Sequence, residues 1–201
     1  MIYLKKSLIL ERIEYRGALR TIIKDIINIY KNEEEGEFYL PEYFDEDEFE
    51  YSFPNLNISI ELIIEQDPTI ETFKTNAAIW REDDIVTIVI KYNPNVKEKI
   101  LYDLIGRLNE SLAHELRHYK QKRLGTHDLD VEEPEDPLEY YTQSHEIDAQ
   151  IAGFDRLSKL SKRPFEDVMR EWFDNNQDIH RLNNDQVEIV ISKIMDEKNK
   201  N

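Results

Sequence analysis

From Val96 to Arg123 the chain keeps an unbroken helical period, so any fold it adopts has to be arranged around that one long element. Leu101, Ile105, Leu108, Leu112, Leu116 and Tyr119 fall in a single stripe of a helical projection. Gly125, a residue that tolerates left-handed backbone, ends it. The segment before it has a different period. Ile58, Ile60, Leu62 and Ile64 alternate with Ser59, Glu61 and Ile63, which predicts a strand with one buried face. Ala77 to Trp80 and Ile85 to Tyr92 read as two further strands around Glu82-Asp83-Asp84, a hairpin, and Asn93-Pro94-Asn95 ends the sheet.

The flanks are helical or acidic. Leu19, Ile22, Ile23, Ile26, Ile27 and Tyr30 predict an N-terminal amphipathic helix, whereas residues 31–55, with Gly36, Pro41, Pro54 and two acidic runs, read as a loop. Residues 126–136 read as a second acidic loop. Asp136-Pro137-Leu138-Glu139 then combines an N-cap, a proline at the first helical position and a capping-box Glu. One helix is expected from there to Leu160, with Tyr140, Ile147, Ile151 and Phe154 on its buried side. Two more are expected around Phe165–Phe173 and Asp185–Lys198. The fold class is therefore α+β, a small, mainly antiparallel sheet packed with helices and wrapped by terminal helices.

The long helix carries His114-Glu115-Leu116-Arg117-His118, an H-E-x-x-H motif. Four residues is about one helical turn, so both imidazoles leave the same face and can reach one zinc ion. The intervening Glu115 then lies beside the metal, where it can take a proton from water. The chain has no cysteine, which removes disulfides, thiol nucleophiles and thiolate metal sites, and leaves any transition metal to carboxylates and five histidines.

A catalytic zinc site needs a third protein ligand and an open fourth position. A histidine six residues beyond His118 is ruled out, because Leu124 stands there. Gly125-Thr126-His127-Asp128 resembles the opening of an aspartate-ligand motif and offers Asp128, although Val131 and Glu132 depart from its continuation. Glu146, in Ser144-His145-Glu146-Ile147-Asp148-Ala149, is the other candidate. Gly153 further along would let the two helices approach closely.

With 43 acidic against 26 basic residues, the net charge of −17 works against binding a phosphate backbone, so no nucleic-acid partner is expected. Glu33-Glu34-Glu35 and Asp45-Glu46-Asp47-Glu48 read as solvated loops, the sharper alternative being a decoy that mimics DNA. No stretch reads as an export signal or a membrane span, so the expected setting is the cytoplasm, with no membrane partner.

His114 through Gln121 (H-E-L-R-H-Y-K-Q), followed by Tyr140-Tyr141-Thr142-Gln143-Ser144-His145-Glu146-Ile147-Asp148-Ala149, resembles the zincin-like metallopeptidases of gluzincin type. The likeness is greatest to small cytoplasmic and phage-encoded versions, in which a helix bearing E-x-x-A supplies the third ligand. It covers roughly residues 56–160, leaving 1–55 as a helix and acidic segment and 161–201 as a helical extension on the same domain. It implies zinc as cofactor, His114, His118 and Glu146 as its ligands, and Glu115 as the catalytic base. The implied partner is a peptide or protein substrate, for which the acidic surface favours a basic one. Asn76-Ala77-Ala78-Ile79-Trp80 is similar to the edge strand that holds substrate in such enzymes. The chain departs from the larger gluzincins at Gln150, where they often have an Asp. Tyr140, Tyr141, His127, His145 and Arg117 are all chemically able to stabilise a developing oxyanion; His145, turned about 100° from Glu146 on an ideal helix, is expected to cap or to face solvent. The other readings are a catalytically silent zincin fold serving docking, for example in a phage virion, and a zinc amide hydrolase acting on a non-protein substrate.

Overall fold

The computed structural model describes residues 19–40, 58–80, 85–125 and 134–200. His127, Asp128, the acidic run 45–48, the hairpin tip at 81–84 and the side chain of Trp80 lie outside the described residues. The chain divides into two compact units, Met1–Leu108 and Asn109–Asn201.

In the first unit, helix α1 is described from 19 to 32, and its expected apolar stripe is buried. Four strands follow: β1 (Gly36–Leu40), β2 (Ser59–Gln66), β3 (Phe73–Trp80) and β4 (Ile85–Tyr92). They form one sheet in the order β1-β2-β4-β3. β1 pairs antiparallel with β2 and β3 antiparallel with β4, while the central pair, β2 with β4, is parallel. The sheet is thus mixed. The alternation along β2 is real: Ile58, Ile60, Leu62 and Ile64 are buried, as are Val86, Ile88, Ile90 and Tyr92 at the matching positions of β4. β1 corrects the reading of residues 31–55 as a loop throughout. Its residues are mostly exposed, so no alternating apolar face announces it, and its pairing with β2 is what makes it a strand.

The end of α1 is fastened to the sheet by Lys97. Its ammonium donates to the Glu33 carbonyl at 2.7 Å and lies 5.2 Å and 5.4 Å from the ring centres of Tyr30 and Tyr92. Those two rings meet edge to face at 5.1 Å, and the Tyr92 hydroxyl donates to the Glu34 carbonyl at 2.8 Å. Burial, followed by the neighbouring charges of Glu34 and Glu35, raises the Tyr92 pKa and keeps that hydroxyl a donor.

After a 3-10 turn at Pro94–Val96, helix α2 spans Leu101–Leu124, so it starts later than the expected Val96. The Pro94 turn absorbs the difference. Leu104, rather than Leu101 or Ile105, is buried in its first turns, and from Leu108 the stripe is as expected. Gly125 takes φ +57 and ends the helix.

The second unit continues with α3 (Pro137–Tyr141), α4 (Ser144–Ser161), α5 (Phe165–Asn175), α6 (Gln177–His180) and α7 (Asn184–Lys200). Asp136 caps α3 as expected, its carboxylate accepting from the Leu138 amide at 3.0 Å. The single helix expected from 137 to 160 is broken, however. The Thr142 amide bonds to carbonyls of Leu138 and Glu139, its hydroxyl donates to the Glu139 carbonyl, and Gln143 is extended before α4 restarts. A threonine that satisfies its own preceding turn competes with helix continuation, and neither glycine nor proline marks the site.

Ile147 and Phe154 of α4 pack with Met169 and Phe173 of α5, and with Leu182, Val190, Ile191 and Ile194 at and within α7. His180 is a packing residue here. Its Nδ1 accepts from the Leu182 amide at 2.9 Å, so Nε2 carries the proton and donates to the Phe173 carbonyl at 2.7 Å. Among the described residues no helix is long and apolar enough to cross a membrane.

Candidate metal centre

From 109 to 122 no residue of α2 is exposed, and side chains of the two helices α2 and α4 bond to each other along this stretch. The approach is tight at Gly153, where an added Cβ would sit 3.0 Å from the Glu110 carbonyl oxygen. The Arg156 side chain donates to Asn109 at 2.8 Å on the same stretch. Glycine at 153 therefore permits the close helix pair that its sequence position suggested.

The pair brings His114, His118 and Glu146 together. One ligand atom from each lies within 4.8 Å of the other two, and among the described residues this is the group of three or more His, Asp or Glu able to hold a metal ion. The imidazole Nε2 atoms of His114 and His118 are 3.1 Å apart. Glu146 Oε1 is 3.1 Å from His118 Nε2, and Oε2 is 3.6 Å from His114 Nε2. Glu146 is buried in the first turn of α4, where the helix N-terminus favours its negative charge.

The electrostatics separate the two histidines. Burial pushes the His114 pKa down to about 4, with Glu146 opposing and the charges of His118 and His145 adding, so the ring is neutral at physiological pH. Burial also pulls on His118, but its hydrogen bond to Glu146 and the charges of Glu146 and Glu115 outweigh that, and its pKa is raised. Burial works against ionised Glu146, and the histidines around it reverse the balance and lower its pKa.

The tautomer of His118 follows from its neighbours. Gln121 Nε2 donates to the His145 carbonyl at 3.0 Å and to Asp148 Oδ2 at 2.8 Å, so its Oε1 must be the atom facing His118. His118 Nδ1 therefore donates to Gln121 Oε1 at 2.9 Å, and Nε2 is the atom left facing His114 and Glu146. Arg117 holds the far end of this chain, its Nε and Nη2 donating to the Asp148 carboxylate at 2.6 Å and 2.9 Å. Gln121→Met, which keeps the volume and removes this acceptor, is expected to lower zinc affinity roughly 10–100-fold in a chelator competition. Unchanged affinity would show that Gln121 does not orient His118.

A divalent cation fits this arrangement on the chemistry of the donors. Two ring nitrogens face each other at 3.1 Å, and Glu146 Oε2 is buried with no hydrogen-bond partner. A buried carboxylate oxygen without a donor is costly, and a cation between these atoms removes that cost. Two imidazole nitrogens with one carboxylate oxygen is a donor set that zinc accepts.

Of the sequence candidates, Glu115 is buried on α2, and its charge is one contributor to the raised His118 pKa. Arg117 is engaged by Asp148 rather than directed at a substrate position. Tyr141 is held edge-on to Phe173 and His180, and burial, then the charges of Glu146 and Glu110, push its pKa up to about 12. The expectation that His145 caps or faces solvent is corrected. Its side chain is 14% exposed and its Nε2 lies 3.6 Å from Glu146 Oε1. Side chains of a first helical turn lean back past the helix end, so the 100° separation on an ideal projection does not keep His145 away. Gln121 was legible only as a residue three places after His118, on the same helix face. Gln150 is buried with its Oε1 lacking a hydrogen-bond partner. No family model, curated protein or solved structure matches the chain.

Proposed function

We propose that the protein is a zinc-dependent metallopeptidase, with His114, His118 and Glu146 holding the ion and Glu115 acting as general base. The observation that carries this reading is the buried His114/His118/Glu146 group, in which an H-E-x-x-H helix and a carboxylate from a second helix bring three ligand atoms within 4.8 Å. The intervening Glu115 adds to it. It is buried on the same helix and its charge acts on His118, a position from which a carboxylate can take a proton from water beside the ion.

When bound, zinc supplies Lewis acidity, which acidifies water and polarises a carbonyl. The residues do the rest. Glu115 accepts the proton of the attacking water and passes it to the leaving amine nitrogen as the peptide bond breaks. Gln121 holds the His118 ring with Nε2 turned inward, and neutral His114 needs no deprotonation to serve as a ligand.

The test is cleavage of a broad peptide library by zinc-loaded protein. Hydrolysis that disappears on chelation and returns with zinc is the expected result. Stoichiometric zinc binding without cleavage of any peptide would overturn the peptidase reading.

A further inference from the structure

Three imidazoles, not two, surround Glu146. His118 Nε2 and His145 Nε2 approach the same oxygen, Oε1, at 3.1 Å and 3.6 Å, while His114 Nε2 approaches Oε2 at 3.6 Å. The His145 side chain is 14% exposed, against 17% for His114. Its ring is edge-on to that of His118, with centres 5.9 Å apart. Its backbone is fixed as well, because Gln121 bonds both the His145 carbonyl and His118 Nδ1. A first-turn histidine with no part in the centre has an easy route to water; this one is turned inward.

We infer that His145 is a fourth protein ligand, which closes the substrate-free centre with three imidazoles and one carboxylate and leaves it when substrate enters. This deepens the metallopeptidase reading and rests on it. Zinc sites with four protein donors are closed, and those with three keep a position for water or substrate. One chain can occupy both states if a single ligand is exchangeable. His114, His118 and Glu146 form the set with mutual distances within 4.8 Å, and His145, outside that set, has its Nε2 3.6 Å from Oε1. An imidazole in the first turn changes rotamer about two side-chain bonds while its backbone stays in place. His145 and the substrate oxygen then compete for one coordination position, so the resting protein holds its metal in a protected form.

The experiment is X-ray absorption at the zinc edge on the full chain loaded with one equivalent of zinc, which counts coordinated imidazoles without reference to activity. Three are expected in the wild type. Two, with an additional light ligand, are expected in His145→Ala, whose zinc affinity should also fall by about tenfold or more. Two imidazoles in the wild type would overturn the inference whatever the variant does. So would a lower affinity with an unchanged count, which places His145 outside the coordination sphere. Failure of the underlying metal site is distinguishable: in that case His114→Ala and Glu146→Ala would bind zinc as the wild type does.

Discussion

Glu115→Gln is expected to retain zinc at the wild-type level and to lose roughly 10²–10⁴-fold in kcat on any peptide the parent cleaves. The substitution is nearly isosteric, so a residue buried on α2 is replaced without a cavity or a clash. What is removed is the basic oxygen. Glu115 is not among the three grouped ligand atoms, which is why metal binding should survive. Zinc content and single-substrate kinetics on the same preparation decide the matter. A kcat within tenfold of the parent would remove Glu115 from the role of base.

Phe154→Ala should cost about 3–5 kcal/mol of stability, a large part of the ~5–15 kcal/mol that holds a typical domain folded. Phe154 is 2% exposed, and its ring meets those of Phe165, Trp172 and Phe173 at 6.2, 5.8 and 6.1 Å. These contacts seat α4 on α5, and α4 carries Glu146. Urea unfolding of metal-free protein should show the loss. Zinc at 100 times its dissociation constant should return about 2.7 kcal/mol, provided the folded variant still forms the site. A loss below 1 kcal/mol would mean that the aromatic cluster does not hold the helix.

The parts of this molecule that were legible in its sequence are those fixed by local periodicity. The α1 stripe, the alternation of β2, the body of α2 and its stop at Gly125 each follow from residues close together in the chain. Sheet pairing does not. Alternation identifies which face of a strand is buried but not its neighbour, so the parallel pairing of β2 with β4 and the addition of β1 at the edge had no local sign. The break at Thr142 was hidden for a related reason. It depends on a hydroxyl satisfying one particular carbonyl, and not on a residue type that ends helices in general.

The same distinction runs through the candidate centre. His114, Glu115 and His118 are readable because one helical turn brings them onto one side. Glu146 was one of two candidates for the third position, and the resemblance is what favoured it over Asp128, which lies outside the described residues. That Gln121 bonds His118 and that His145 turns toward Glu146 became apparent only when α2 and α4 were side by side. The amide of one then proved to join the His118 ring to the backbone of the other.

The most direct test of the central claim is a calorimetric titration of the metal-free protein with zinc, run in parallel on Glu146→Ala. One ion per chain is predicted for the wild type. For the variant, the loss should exceed the roughly 10–100-fold that removal of an outer-shell partner costs. Equal zinc binding by both proteins would contradict the site.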